Sequence, residues 1–146
     1  MTELLALIAT LAAALFAGAS LYITAVEHPA RMQLETRAAA TQWAPSYRRA
    51  TLMQAPLASI SALAGIGAWW AEGGTGWLVA ALLIGAVVPF TLIVIMPTNH
   101  QLQAPGRDLA APETRTLLQR WARRHAVRTV LSLLALILDL ILLRSV

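Results

Sequence analysis

Three histidines, one asparagine and a few arginines are the side chains in this 146-residue sequence best suited to move a proton or hold an anion. His28 lies in Glu27-His28-Pro29-Ala30-Arg31, His100 ends Met96-Pro97-Thr98-Asn99-His100, and His125 stands between Trp121 and Arg128. Histidine titrates near neutral pH, so His28 or His125 could act as a general acid or base. Asn99 and Arg128 could donate to an oxyanion, and Trp121 could stack on a flat ring. Arg31, Gln54 and Tyr47 add polar groups that could bind a substrate. Glu27 could orient a histidine, but neighbours on a helix point about 100° apart, so its partner need not be His28. The same residues offer a second chemistry. Glu27, His28 and His125, optionally with His100, form an imidazole and carboxylate set for a divalent transition metal or copper, and His28 with His125 could ligate haem. No HxxxH or ExxH pair supports the metal by spacing, and the absence of cysteine excludes thiolate ligands, a catalytic thiol and disulfides.

Helical phase groups these residues. Trp121, His125 and Arg128 fall at i, i+4 and i+7 and share one face, which continues inward through Ser132, Ala135 and Asp139. Ser20, Thr24, Glu27 and His28 make a similar stripe, and Gln54, Ala58, Ser61 and Gly65 a third, small enough for close packing. Charge held against lipid is costly, so such stripes are expected to face one another around a polar cavity. Asp139 lies about 21 Å along its helix from His125 at 1.5 Å per residue. It is read as a carboxylic acid satisfied by a neighbouring helix rather than as a proton carrier.

The elements that must position these groups are set by composition. The chain is 58% apolar and 12% charged, against roughly a quarter charged in soluble domains. A water-soluble enzyme and a disordered chain are both excluded. Four apolar runs, 4–24, 52–70, 77–96 and 127–143, are each close to the roughly 20 residues that cross a bilayer as a helix. The expected fold is all-α: one four-helix transmembrane bundle, with short interfacial helices in two long connections, 25–51 and 97–126. One such helix would begin near Met32 and stop at Ala44-Pro45-Ser46. Another would start at Pro112-Glu113 and run on through Trp121 into the fourth span. Pro89 should kink the third helix by freeing the Gly85 carbonyl. The first run, preceded by Glu3 and too long for a signal sequence, is read as a span.

All eleven basic residues are arginine, and ten of them lie in or beside the two connections. The positive-inside rule places both connections in the cytoplasm, with both termini and the 71–76 turn outside the inner membrane. Trp69, Trp70 and Trp77 around that turn suit an aromatic belt. No basic face accompanies the arginines, so a nucleic-acid partner is not expected. The expected partners are the lipid bilayer, a small hydrophobic substrate and molecular oxygen, while a homo-oligomer is permitted but not demanded.

Glu27-His28-Pro29-Ala30-Arg31, Trp43 with Tyr47-Arg48, Pro97-Thr98-Asn99 with Leu102, and Trp121, His125 and Arg128 occur in an order and spacing that resemble the anthrone oxygenase-like integral membrane proteins. The likeness extends over essentially the whole chain. It implies a membrane oxidoreductase of the monooxygenase type, since some fungal members oxidise polyketide anthrones to anthraquinones with molecular oxygen. It marks Glu27, Pro29, Arg31, Asn99, Trp121, His125 and Arg128, and leaves His100 outside the pattern. The reaction can proceed without a bound redox cofactor, because a deprotonated anthrone is electron-rich enough to meet oxygen itself. The alternatives outside catalysis are a small transporter and a scaffold subunit. Four-helix drug exporters use an acid in the middle of the first span, and residues 4–24 contain none.

Overall fold

The computed structural model describes residues 1–145 and contains four long helices: α1 (Thr2–Arg31), α2 (Thr36–Glu72), α3 (Thr75–Leu102) and α4 (Pro112–Leu143). No strand occurs among the described residues. Each helix is apolar and long enough to cross a membrane, and the chain is an integral membrane protein. Each packs on its sequence neighbours, and α4 closes back on α1, giving an up-and-down bundle.

Small residues make this packing possible. Ala6 and Ala9 of α1 meet Ala64 and Ala68 of α2 in one core cluster, and the Ser61 hydroxyl donates to the Ala9 carbonyl at 3.0 Å. Where α2 meets α3, a Cβ on Gly65 would lie 3.1 Å from the Ala81 methyl group, so the helices approach at the limit set by a missing side chain. Leu11, Leu15, Leu63 and Ile93 point outward. Lipid chains are as apolar as leucine, so helix association relies on close contact rather than on hiding large side chains.

Helix α2 ends at Gly73, whose φ of 77° is left-handed and whose N–H bonds the Trp69 carbonyl at 2.7 Å. Only Gly73 and Gly74 are non-helical in this turn. Trp70 is exposed there, but Trp77 is buried in the core and its indole N–H donates to Glu72 at 3.0 Å. The expected three-tryptophan belt therefore loses Trp77, because its position on α3 faces α1 and α4 rather than lipid.

At the opposite end, called here the connection end, the helices run well past the apolar spans. The helix expected to stop before Pro45 continues through it into the second span. Trp43 and Tyr47, one turn apart on either side of Pro45, stack with ring centroids 5.1 Å apart and hold the helix on the core. The first connection shrinks to residues 32–35. Arg115 of α4 fixes it by donating to the Met32 and Leu34 carbonyls at 2.5 and 3.1 Å. The expected start at Pro112 and the continuous run through Trp121 are both present.

The helices carry two kinds of irregularity. Helix α3 breaks at Ala86, one turn before Pro89. In addition, α1 and α3 each contain one widened, π-helical turn, Ile23–Glu27 and Thr91–Ile95, ending two residues before Pro29 and Pro97 respectively. A proline ring clashes with the carbonyl four residues earlier, and a widened turn moves that carbonyl aside.

Candidate functional site

The face shared by Trp121, His125, Arg128, Ser132, Ala135 and Asp139 is buried along its whole length, as its phase requires. Ser20 and His28 of α1, and Gln54, Ala58, Ser61 and Gly65 of α2, are buried as well. The polar stripes do face one another. The polar groups gather at the connection end, where the widened turn of α1 brings Thr24 against α4.

A first cluster is built on Arg31, which is buried. Its guanidinium donates to Glu27 Oε1 at 2.5 Å, to Ser46 Oγ at 3.3 Å, to the Gln42 side-chain carbonyl, and to His28 Nδ1 at 3.0 Å. Ser46 also donates to Glu27 at 2.5 Å. Glu27 therefore orients Arg31, and Arg31 in turn orients His28. A guanidinium can only donate, so His28 Nδ1 accepts and its proton resides on Nε2.

A second cluster sets the opposite tautomer on His125. The Thr129 hydroxyl donates its one proton to the Ser20 carbonyl at 3.2 Å. The Thr24 hydroxyl, 2.8 Å away, must then donate to Thr129 Oγ1, which leaves Thr24 Oγ1 to accept from His125 Nδ1 at 3.1 Å. Proton counting thus puts hydrogen on Nδ1 and a free lone pair on Nε2. The two imidazoles pack on the same indole, Trp121, with ring centroids at 5.2 Å for His28 and 4.8 Å for His125.

His125 lines a chamber of about 10 Å³ together with Arg31, Trp43, Tyr47, Gln54, Trp121 and Arg128. That volume holds about one water. A larger cleft of about 130 Å³ adjoins it between α2 and α3, walled by Phe16, Ala58, Val87, Val88 and Leu92. Tyr47, Thr51 and Arg128 line both spaces. The Arg128 guanidinium lies 5.4 Å from the Phe16 ring centroid and donates to Gln54 Oε1 at 2.9 Å. Among the described residues no carboxylate forms an ion pair with it.

Buried polar atoms normally find partners. Here Ser20 Oγ, His28 Nε2, Trp43 Nε1, Gln54 Nε2, Trp121 Nε1, Arg128 Nε and both amide atoms of Asn99 have none among the described residues. Four of these eight, the N–H groups of Trp43, Gln54, Trp121 and Arg128, belong to residues that line the chamber, so its unpartnered groups are donors. Such a surface is complementary to a molecule rich in acceptor oxygens.

The structure brings His125, Arg128, Trp121, Arg31, Gln54 and Tyr47 to one chamber. Glu27 and His28 stand behind it, reached through Arg31. Asn99 is fully buried on α3, one turn from Ile95 and Leu102 of the aromatic core, and lines neither space. His100 is exposed. Among the described residues no three His, Asp or Glu side chains could hold a metal ion together. Glu27 is committed to Arg31, and the Arg31 guanidinium beside His28 Nδ1 would repel a cation. The metal set therefore does not fit, and the chamber beside His125, at about 10 Å³, has no room for a haem ring. Asp139 is buried and forms no ion pair among the described residues.

Sequence reasoning missed Thr129 and Phe16. Thr129 is four residues beyond His125 on the same face, and Phe16 is four before Ser20, so both were within reach of the phase argument. Gln42 and Ser46 carried no comparable signal, since their roles depend on α2 continuing through Pro45.

Four membrane-length helices, with His125, Arg128 and the indoles of Trp43 and Trp121 gathered around one chamber at the connection end, define a helical-bundle integral membrane protein. The chain belongs to the anthrone oxygenase family: residues 43–138 match the family model described as anthrone oxygenase. The anthrone oxygenase tpcL of Aspergillus fumigatus is 41% identical over 73 residues, which is 47% of this chain and 45% of that relative. The match thus spans less than half the length of that curated relative. No solved structure matches the chain.

Proposed function

We propose that this protein is an oxygenase that converts the activated methylene of an anthrone-like aromatic into a carbonyl, using molecular oxygen and no bound redox cofactor. The observation that carries this reading is the hydrogen-bond chain from the Ser20 carbonyl through the Thr129 and Thr24 hydroxyls, which leaves the lone pair of His125 Nε2 free in the chamber that Arg128 and Gln54 also line. Donors already in place beside that nitrogen suit a proton removal that creates an oxyanion, because the oxyanion's charge offsets that of Arg128.

His125 Nε2 takes one proton from the methylene, and the electron pair moves onto the ring carbonyl as an enolate. Arg128 and Gln54 donate to that oxygen. The enolate carbon passes an electron to oxygen and the radical pair combines, forming a C–O bond and a peroxide anion. Imidazolium returns its proton to the peroxide. Loss of the remaining C–H proton then breaks the O–O bond, leaving the carbonyl and, with one proton, water. One methylene and one dioxygen become one carbonyl and one water. Trp121 and Trp43 keep bulk water away, while Glu27, Arg31 and His28 hold the wall in place.

The membrane orientation belongs to the same proposal. Ten of the eleven arginines lie in or next to the two connections, which supports a cytoplasmic connection end and outside termini in an inner membrane.

The test uses detergent-purified protein with an anthrone, following oxygen uptake and quinone absorbance. The expected result is consumption well above the spontaneous rate, lost in His125→Ala. Equal rates with wild-type, His125→Ala and no protein would overturn the proposal.

A further inference from the structure

We infer that the cleft between α2 and α3 is a lateral binding slot, through which a lipophilic weak acid reaches Arg128 directly from the bilayer and is held there as its anion. This deepens the proposed oxygenase reading and takes the class of ligand from it.

Size comes first. The chamber beside His125, about 10 Å³, has room for roughly one water and none for an aromatic ring. The adjoining cleft of about 130 Å³ is the space that can take a flat ring, leaving only its reacting edge to enter the chamber. Direction comes second. The cleft lies within the apolar spans, and Val88 and Leu92 on its wall are 39% and 58% exposed, so it opens sideways toward lipid chains. Toward the connection end it is closed by Tyr47, whose hydroxyl donates to the Met96 sulfur at 4.0 Å. The chamber beyond is roofed by Trp43, Arg31 and Trp121, all buried.

Two irregularities of α3 hold this opening in place. Helices α2 and α3 touch closely at Gly65 and Ala81. Beyond that contact α3 breaks at Ala86 and widens at Thr91–Ile95, and its Val87, Val88, Thr91 and Leu92 line the cleft.

Charge comes third. Arg128 is buried at the junction of cleft and chamber with a ring and a neutral amide as neighbours, and its Nε makes no hydrogen bond among the described residues. The carboxylate of Glu27 is already taken by Arg31. A charge inside a membrane calls for a partner of opposite sign, and the cleft delivers a ligand to the side where none is present. Gln54 Nε2, also without a partner, adds a second donor at the same point. A phenol or enol whose acidic oxygen sits at Arg128 would supply the missing negative charge, while its rings remain among Phe16, Ala58 and Leu92.

The chain contains no cysteine, so single-cysteine variants report without background. Val88→Cys places a thiol on the cleft wall. Ile93→Cys places one on the lipid face of the same helix, outside the cleft. In proteoliposomes, alkylation by a lipophilic maleimide is timed with and without a dihydroxyanthraquinone, a phenol that does not turn over. Slowing of about tenfold at Val88→Cys, little change at Ile93→Cys, and loss of protection when Arg128→Gln is added would support the slot. Protection should persist with His125→Ala, because binding does not need the base. Equal protection at both thiols, or none at Val88→Cys, would overturn the slot even if the wild-type protein oxidises anthrones. Selective protection without any oxidation would support the slot while removing the oxygenase reading.

Discussion

The Thr24 hydroxyl stands 3.1 Å from Nδ1 of His125, although the two residues are 101 positions apart in the chain. This contact determines which imidazole nitrogen is free to accept a proton. Thr24→Val removes the acceptor and lets the ring take either tautomer, whereas Thr24→Ser keeps the oxygen. Turnover with an anthrone should fall about tenfold in the valine variant, equivalent to about 1.4 kcal/mol in barrier. The serine variant should stay close to wild type. Initial rates of oxygen uptake decide this, and equal rates for both variants would remove the tautomer argument.

Arg128 separates stability from function. It is buried without a carboxylate partner among the described residues, a state that costs folding energy and that the proposed slot would turn to binding. Arg128→Met should stabilise the ligand-free protein by on the order of 1 kcal/mol, read as a higher thermal midpoint, while abolishing turnover. Arg128→Lys should not restore full activity, because an ammonium lacks the planar fork that reaches Gln54 and a ligand together. Thermal unfolding in detergent alongside activity checks both halves.

Glu27 is expected to behave differently. It lines neither the chamber nor the cleft, and it neutralises Arg31 at 2.5 Å. Glu27→Gln leaves that buried guanidinium without a counter-charge and should cost about 2 kcal/mol of stability. Below its lowered melting point the variant should retain substantial turnover. A variant of normal stability with no activity would instead make Glu27 a participant in the chemistry.

The proposed orientation can be read from thiols introduced into the cysteine-free chain. Gly74 has open space where a Cβ would go, and Gln103 is exposed just after α3. Gly106 is less suitable because its φ of 76° would strain a cysteine. In intact cells an impermeant maleimide should label Gly74→Cys and should label Gln103→Cys only after lysis. The reverse pattern would turn the bundle over.

The four spans and the inward faces of α1, α2 and α4 were legible because a membrane leaves few choices. Apolar length sets the spans, and phase sets which side of each helix carries Ser20, Gln54 and His125. Tertiary detail was not legible. Asn99 looked like an oxyanion donor beside His125, because both lie near the ends of adjacent helices. Sequence gives axial depth well and rotation poorly once a helix contains a widened turn, and the turn at Thr91–Ile95 lies just before Asn99. Pro45 looked like a stop signal. The stacking of Trp43 on Tyr47 outweighs it, an example of tertiary contact overriding local propensity.

The widened turns in α1 and α3 have a consequence for how this bundle tolerates change in length. In a regular helix, deleting one residue swings everything beyond it by about 100°. Residues 23–27 and 91–95 already hold one residue more than a regular turn needs. Deleting Ala25 or Val26 would draw out that slack, leaving His28 and Arg31 aimed inward at the cost of crowding Pro29 against the turn before it. The same deletion at Ala13 would turn the whole far half of α1 away from its partners. Length variation in such helices is therefore expected to collect in these two turns, where the chain holds its spare residue.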